Sequence, residues 1–170
     1  QAQNGTLEGV GALFLYPLNA LMGSQRNRIL AWTKALNAKI RFGIYNGKTA
    51  EAVRGKNNHT QNSELFDRQT IRLHPPQILF TNPTMLEYML VRKKDQILLE
   101  KSKGKLRWII LDEAHTYSGS SATEIALLIR RVLDAFGVKE TDVRFAATSA
   151  TIGEGKEANA SLRRFLSELT

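Results

Sequence analysis

The chain has 170 residues, of which 42% are hydrophobic and 24% are charged, and this composition excludes a disordered or fibrous protein. It has no cysteine, which excludes a disulfide framework and a cysteine zinc site and favours a cytoplasmic protein. The apolar run at residues 10–16 is too short to span a bilayer, so we expect no membrane partner. A net charge of +8 and a pI near 9.9 favour a nucleic-acid partner.

In chain order, short apolar runs alternate with amphipathic segments. The apolar runs predict strands at residues 10–16, 40–45, 77–81, 106–112 and 143–149. The amphipathic segments predict helices at residues 19–36, 84–91, 119–136 and 158–169, with Gly137 ending the third and Thr84 and Glu87 forming a capping box at the start of the second. Strands separated by helices need crossover connections, which favours an α/β fold with a parallel sheet and helices on both faces.

Two segments do not fit this alternation. Residues 47–74 are polar and contain one weak helical candidate at residues 64–71, which favours a flexible excursion or insertion without chemistry. Residues 92–107 hold seven basic and two acidic side chains, a net charge of +5. That charge is compatible with a solvated loop as well as with a nucleic-acid contact.

Two carboxylates and an imidazole follow the apolar run at residues 108–111, in the string Asp112, Glu113, Ala114 and His115. A buried parallel strand would place them at its carboxyl end, where open α/β sheets bind ligands. Adjacent acids at the border of a core usually have a metal ion or a water molecule as partner. The alternative is an ordinary loop in which Asp112 caps the next helix.

Polar or small residues also follow the other four predicted strands, at residues 16–21, 46–49, 81–84 and 149–151. The carboxyl ends of parallel strands share one edge of the sheet, so the five loops are expected to form one composite site.

One of these loops imitates a phosphate-binding loop. Residues 43–49 end in Gly47, Lys48 and Thr49, but only three residues separate Gly47 from Gly43, whereas the phosphate-binding motif requires four. Gly43 also lies inside a predicted strand. A tight turn is therefore favoured here.

Four of the motifs, in their order along the chain, resemble those of superfamily-two DEAD/DEAH-box helicases. They are the segment from Tyr16 to Leu21 with Gln25, the segment from Thr81 to Leu86, the string from Asp112 to His115, and Ser149, Ala150 and Thr151. The longer strings at residues 82–90 and 112–119 are similar to large prokaryotic DNA helicases of the repair and defence type. This resemblance covers most of the chain and implies the first RecA-like motor domain.

The resemblance implies ATP and Mg²⁺ as cofactors. Asp112 would hold Mg²⁺, usually through water, and Glu113 would orient and deprotonate the water that attacks the γ-phosphate. His115 would communicate with Ser149 and Thr151 as the motor domains close. From the residues alone, strand-end capping is the favoured interpretation of Ser149 and Thr151.

The resemblance also implies contact with nucleic acid, single-stranded or forked DNA above all. The residues expected to contact it are Pro17, Asn19, Ala20, Thr81, Asn82 and Thr84. Helix N-termini supply unpaired N–H donors for phosphate oxygens, so sequence-tolerant and salt-dependent binding is expected. A second RecA-like domain of the same parent chain is the other implied partner.

No Gly-x-x-x-x-Gly-Lys-Ser/Thr motif occurs in the 170 residues, although the family needs one before the first strand. The chain is therefore expected to be a fragment of a helicase motor domain that is inactive alone. The alternative is a non-catalytic nucleic-acid-binding module without a phosphate loop. A metal-dependent nuclease using Asp112 and Glu113 is disfavoured, because no further acid or histidine cluster offers a second metal site.

Overall fold

The computed structural model describes residues 8–17, 19–35, 39–53, 63–117 and 120–149, and of residues 19–21, 24, 34 and 35 it describes the backbone alone. The strands in these ranges are β1 Ala12–Leu15, β2 Phe42–Ile44, β3 Glu64–Leu65, β4 Ile78–Thr81, β5 Trp108–Leu111 and β6 Arg144–Ala147. All pairings between them are parallel, in the order β3-β2-β4-β1-β5-β6. The predicted α/β fold with a parallel sheet is confirmed.

Five α-helices lie between the strands in the described ranges. They are α1 Asn19–Ala35, α2 Arg68–Leu73, α3 Pro83–Val91, α4 Gln96–Ser102 and α5 Ser120–Ala135. Short 3-10 helices occupy Lys93–Asp95, Ala114–Thr116 and Glu140–Asp142. Within the ranges given above, no helix has the length and apolar character needed to cross a membrane.

The two faces of the sheet are covered unequally. Leu13 and Leu15 of β1 point to one face and join a large buried cluster with residues of α2, α3, α4 and α5. Phe14, between them, points to the other face and joins a smaller cluster with Phe80 and with Met22 of α1. This alternation follows from the two-residue period of a strand. Helices on both faces were predicted, and both faces carry them.

A cavity of about 420 Å³ remains on the α1 face. Apolar side chains form most of its lining, among them Phe14, Trp32 and Ile110. Asp112 and Thr148 also line it, and both follow the carboxyl ends of their strands. The α1 face is therefore more open than the opposite face, and its open part reaches the edge that carries the acids.

The start of α3 differs from its prediction. Asn82 has extended backbone angles, and its side chain accepts a hydrogen bond of 2.7 Å from the Met85 N–H, so that Asn82 is the N-cap and Pro83 is the first helical residue. The predicted capping box of Thr84 and Glu87 is therefore wrong. Proline suits the first helical position because it has no N–H to leave unpaired, so the helix begins before Thr84.

Two elements were not predicted. Strand β3 lies within the polar segment 47–74 and has only two residues, too few to show an alternating pattern. Helix α4 lies within the basic segment 92–107, so the solvated-loop interpretation of that part is wrong: Leu98, Leu99 and Ser102 are buried there. The weak helical candidate at residues 64–71 corresponds to α2, which starts later because Asp67 caps it.

Other predictions agree with the structure. Gly137 has φ +58° and follows the end of α5, where only a glycine adopts such a conformation without strain. Gly43 lies in β2, where a Cβ would come 2.9 Å from the Ile71 Cδ1 atom, so it forms no phosphate loop. The helix predicted at residues 158–169 lies outside the described residues.

Candidate functional site

The Asp-Glu-Ala-His string sits where the sequence pattern placed it, at the carboxyl end of an inner strand. Strand β5 pairs with β1 on one side and with β6 on the other. The Asp112 N–H donates to the Leu15 carbonyl over 2.9 Å, and the Thr148 N–H donates to the Leu111 carbonyl over 2.9 Å. Both neighbouring strands therefore fix the backbone on which Asp112 stands.

The backbone turns sharply at Glu113. Its φ of 52° and ψ of 46° lie in the left-handed region, and among the described residues it alone has a positive φ without being glycine. The following 3-10 turn is held by the Thr116 N–H and hydroxyl, which both donate to the Glu113 carbonyl, over 2.9 and 2.8 Å. The Ala114 N–H donates to the Thr148 carbonyl over 2.8 Å. A left-handed residue other than glycine costs roughly 1–2 kcal/mol, so this turn is strained.

The Asp112 carboxylate contacts one hydroxyl group, and its charge acts on two buried phenols. The Thr148 hydroxyl donates a hydrogen bond to Asp112 Oδ1. Burial, and secondarily the negative charge of Asp112, raises the pKa of both Tyr16 and Tyr117 to about 12, although Arg28 opposes the rise at Tyr16. Both phenols therefore remain neutral at ordinary pH, and no described tyrosine competes with Asp112 as an anion there.

The Glu113 carboxylate is partly buried, with 24% of its side chain exposed. Its Oε2 atom lies 3.2 Å from His115 Nδ1 and accepts no hydrogen bond from the described part of the chain. A buried carboxylate oxygen without a donor is costly, and such an atom is available to a water molecule or a ligand.

His115 also reaches the next strand end. Its Nδ1 atom lies 2.9 Å from the Ser149 hydroxyl oxygen, and which of the two donates depends on the imidazole tautomer. This contact joins the string after β5 to the residues after β6. His115 and Ser149 are thus in contact, and their predicted communication stays a prediction. Thr151 lies outside the described residues.

We call Asp112, Glu113, His115, Thr148 and Ser149 the DEAH site. Sequence reasoning missed Thr148, because the strand predicted at residues 143–149 included this residue. The available signal was its position: it is the first residue after β6, in register with the residue that follows β5.

The predicted nucleic-acid contacts lie along the same edge but differ in exposure. Thr81 is fully buried, and its hydroxyl donates to the Tyr45 carbonyl over 2.7 Å, so its side chain is already engaged. Asn82 is half-buried and caps α3, while Thr84 is exposed. Pro17 is half-buried after β1, and Asn19 and Ala20 open α1 with undescribed side chains.

A second polar cluster lies beside this edge, in a region to which the sequence assigned no chemistry. Tyr45, Glu51, Arg72 and Asp95 form it, and we call it the Arg72 network. Arg72 Nε donates to Asp95 Oδ1 over 2.6 Å and to the Tyr45 hydroxyl over 2.9 Å, while Arg72 Nη1 donates to Glu51 Oε1 over 2.5 Å. The Tyr45 hydroxyl also donates to Asp95. Burial, and then its bond to Asp95, raises the pKa of Tyr45.

The DEAH site offers the hard oxygen ligands that Mg²⁺ prefers, on the Asp112 and Glu113 carboxylates. Within the described ranges, no group of three or more histidine, cysteine, aspartate or glutamate side chains could enclose a metal ion. Mg²⁺ in nucleotide sites commonly takes one or two carboxylates together with water and phosphate oxygens. The donor set therefore fits Mg²⁺ held jointly with a nucleotide and does not fit an all-protein metal cage.

A parallel sheet of this kind, with Asp-Glu-Ala-His at the carboxyl end of an inner strand, is a RecA-like α/β fold. The chain belongs to the DEAD/DEAH box helicase family, which matches residues 1–159. It is 31% identical to the Druantia protein DruE of Escherichia coli (strain UMEA 4076-1), over 89% of the chain and 9% of DruE. It is 30% identical to the ATP-dependent helicase YprA of Bacillus subtilis (strain 168), over 89% of the chain and 18% of YprA.

Solved helicase structures agree. The DUF1998 helicase MrfA bound to DNA is similar with a TM-score of 0.64 and 30% identity, over 95% of the chain and 20% of MrfA. The helicase Lhr of Mycobacterium smegmatis, bound to ssDNA and AMP-PNP, has a TM-score of 0.63 at 20% identity, over 89% of the chain and 18% of Lhr, and supports the fold alone. The chain spans between 9% and 20% of the length of these four relatives.

Proposed function

We propose that this chain forms part of the first motor domain of an ATP-dependent DNA helicase that couples ATP hydrolysis to movement along a DNA strand. The observation that carries the proposal is the contact of 2.9 Å between His115 Nδ1 and the Ser149 hydroxyl. It links the acidic string after β5 to the hydroxyl residues after β6. A link of this kind is needed if ATP hydrolysis is to change the conformation of other parts of a motor protein.

The hydrolytic roles fall on the two carboxylates. Asp112 is fixed by both neighbouring strands and would hold Mg²⁺, usually through water. Glu113 has an oxygen without a hydrogen-bond donor in the described structure, which suits it to accept a proton from an attacking water. The bound nucleotide and its Mg²⁺ would supply the phosphoryl group and its charge neutralisation.

The DNA contacts are proposed along the same edge, at the starts of α1 and α3. The first N–H groups of a helix lack intrahelical partners and favour phosphate oxygens. Thr84 is exposed in the first turn of α3, whereas the Thr81 hydroxyl is bound to the Tyr45 carbonyl, so Thr84 is the better direct contact of the two. The MrfA structure bound to DNA supports DNA as the partner. We propose that this DNA is single-stranded or forked and that a second RecA-like domain of the same parent chain also contacts it.

A matched pair of substitutions tests this contact. We expect Thr84→Asp to weaken the binding of a fluorescent oligothymidylate about tenfold, because it places a carboxylate beside the backbone donors. Thr123→Asp adds the same charge at an exposed position of α5 and should leave binding unchanged. Equal losses for the two variants, or no loss for Thr84→Asp, would remove Thr84 from the interface.

This chain alone should not turn over ATP, because its 170 residues contain no phosphate-binding loop. The measurement is phosphate release by the purified chain, with Mg²⁺ and ATP, with and without single-stranded DNA. We expect no release above background. DNA-stimulated release that disappears in Glu113→Gln would contradict the proposal of inactivity.

The coupling role is tested in a polypeptide that joins this chain to a phosphate-binding loop and a second motor domain. Glu113→Gln should abolish ATP hydrolysis, whereas Ser149→Ala should retain hydrolysis and lose strand separation, because it removes only the link to His115. Thr141→Ala, which deletes an exposed hydroxyl before β6, is the matched control and should retain both activities.

If Glu113→Gln and Ser149→Ala left both activities intact while DNA binding persisted, the alternative of a non-catalytic binding module would be favoured.

A further inference from the structure

The basic segment singled out in the sequence is divided by the fold into two sets. Arg92 lies over the Tyr88 ring, with 4.6 Å between its guanidinium carbon and the ring centroid, and Lys94 Nζ lies 3.2 Å from Glu51 Oε2. The second set, Lys101, Lys103, Lys105 and Arg107, occupies the end of α4 and the turn into β5. Because parallel strands start at one edge of a sheet, this set lies at the amino edge, opposite the DEAH site.

We call Lys101, Lys103, Lys105, Arg107, Trp108 and Arg144 the amino-edge surface. The backbone connects its members directly. The Arg144 N–H donates to the Arg107 carbonyl over 2.8 Å, and Trp108 and Arg144 are partners at the first position of the β5 and β6 pairing. The surface therefore continues from the end of α4 across the start of two adjacent strands.

Two of its lysines are held in place by glycines. Gly9 has φ +114°, and a Cβ there would collide with the Lys105 side chain. Gly137 has φ +58°, and a Cβ there would come 2.9 Å from Lys103 Cγ. Each lysine stem thus lies directly on a glycine backbone, which reduces the side-chain entropy that a partner would otherwise have to remove on binding.

The positive charge of the surface is not neutralised from within. Lys101 Nζ donates to the Leu73 carbonyl and Lys105 Nζ to the Glu8 carbonyl, each over 2.5 Å. A carbonyl orients an ammonium group without cancelling its charge. Among the described residues, none of the five basic side chains of the surface forms an ion pair with a carboxylate.

Among the described residues, four acidic ones lie near the surface. Glu8 is one of them, and its carboxylate lies 3.9 Å from Arg41 Nη2 and 3.5 Å from His74 Nδ1. Glu100 lies on α4, and Glu140 and Asp142 lie in the 3-10 turn before β6.

The exposed ring of Trp108 indicates which kind of anionic partner the surface binds. Trp108 is 40% exposed, and the Arg144 guanidinium carbon lies 5.4 Å from its ring centroid. Basic groups combined with an exposed aromatic ring suit single-stranded nucleic acid, whose phosphates bind the cations and whose bases stack on rings and guanidinium planes. An acidic polypeptide would use the cations and has no need of the ring.

We infer that the amino-edge surface is a second nucleic-acid-binding surface, which holds the backbone of a single strand on the edge of the sheet opposite the DEAH site. It is separate from the helix starts proposed above and needs no nucleotide. A strand bound at both surfaces would place one of its segments at the amino edge and a different segment at the DEAH edge of the motor domain.

Trp108 provides a local test. The chain has two tryptophans, and Trp32→Phe leaves Trp108 as the only one. Trp32 is 66% exposed, so this change should not disturb folding. We expect the Trp108 emission to fall as oligothymidylate is added, with the midpoint found by anisotropy of the labelled strand. Unchanged emission while anisotropy reports binding would overturn the inference.

A pair of double variants tests the charges. Arg107→Gln with Arg144→Gln should weaken binding about tenfold at low salt and reduce the slope of log affinity against log salt by about 1.4, the value for two lost phosphate contacts on a single strand. Arg130→Gln with Arg131→Gln removes the same charge from α5 and should change neither. Melting curves by circular dichroism establish that both pairs fold.

Two outcomes of this experiment contradict the inference. Equal weakening by both pairs would mean that net charge alone attracts DNA. Polyglutamate that displaces the strand as well as unlabelled oligothymidylate does, at equal charge concentration, would assign the surface to an acidic polypeptide. None of these readouts uses ATP, so their failure leaves the proposed hydrolytic roles unaffected.

Discussion

The DEAH site and the Arg72 network are both clusters of charged and hydroxyl side chains at the ends of strands, yet they differ in how their charges are paired and in their backbone conformation. In the Arg72 network, Arg72 is 7% exposed, Asp95 is fully buried, and hydrogen bonds connect all four members, although Asp95 Oδ2 has no donor in the described structure. In the DEAH site, Glu113 has a left-handed backbone and a buried oxygen without a donor in the described structure.

This difference separates two uses of buried charge. Paired charges in the network fix β2 and α2 against the 3-10 turn at Lys93–Asp95, and they leave little chemistry to do. The DEAH site keeps backbone strain at Glu113, and stored strain is how functional sites commonly differ from structural ones. The network should therefore dominate stability, and the DEAH site should contribute little to it.

The largest expected effect is at Asp95. Asp95→Ala leaves the Arg72 guanidinium and the Tyr45 hydroxyl buried without their shared acceptor, and removing one partner of a buried pair costs about 3–5 kcal/mol. The measurement is the free energy of unfolding from urea titration. Asp142→Ala removes an exposed carboxylate and should cost less than about 0.5 kcal/mol.

A double variant sharpens this result. Asp95→Leu with Arg72→Met should cost less than the sum of the two single changes, because an apolar replacement leaves no unpaired charge. Additive losses would show that the two side chains act independently and would break the contrast between the two clusters.

The next effect concerns the edge that the proposed function assigns to DNA. Asn82→Ala removes the side-chain acceptor of the Met85 N–H and should cost about 1 kcal/mol, the usual value for an N-cap. Thr84→Ala should change stability by less than about 0.5 kcal/mol, since Thr84 is exposed and does not cap. A larger loss for Thr84→Ala than for Asn82→Ala would restore the capping box that the structure replaces.

The strain at Glu113 predicts a change of opposite sign. Glu113→Gly relieves the left-handed backbone and should raise the free energy of unfolding by about 0.5–1 kcal/mol, after the greater flexibility of glycine in the unfolded chain is subtracted. Glu113→Ala keeps the strain and should bring no gain. A gain that is equal for both would point to relief of the buried carboxylate instead of the backbone.

These contrasts also show what the sequence could and could not foretell. The position of Asp112 followed from the apolar run before it, since a buried strand must end where charge begins. The left-handed conformation of Glu113 could not be predicted from the sequence, because glutamate rarely adopts this conformation. The contact between His115 and Ser149 needed the resemblance to helicases, as 34 positions separate the two residues.

The Arg72 network was missed for a related reason. Its members come from four separate segments, and Asp95 lies in a run of basic residues that is typical of a solvated surface. The local sequence pattern predicts only the average exposure of a segment. Whether one carboxylate in it is buried depends on whether a cation that is distant in the sequence pairs with it. Gly137 and the parallel direction of the strands were predictable because turn conformation and crossover connections are local constraints.

The smallest expected effect is the dependence of the network on pH. The hydrogen bond from Arg72 to the Glu51 carboxylate, and then the one from Lys94, lowers the pKa of Glu51 from 4.5 to about 2. A carboxyl group whose pKa is lower in the folded state stabilises the fold above its unfolded pKa, and this contribution is lost as the pH falls from 4.5 towards 2. Because 53% of the Glu51 side chain is exposed, solvent screening should limit the loss to about 0.5 kcal/mol.

The measurement is the urea midpoint at about pH 7 and about pH 3, for the unmodified chain and for Glu51→Gln. Glu51→Gln should reduce the fall in stability between these two pH values, whereas Glu140→Gln, at an exposed position outside the network, should leave it unchanged. An equal reduction by both would assign acid sensitivity to overall charge. A large reduction by Glu51→Gln alone would mean that Arg72 depends on its exposed partner as much as on the buried Asp95, and that the network is held from its surface.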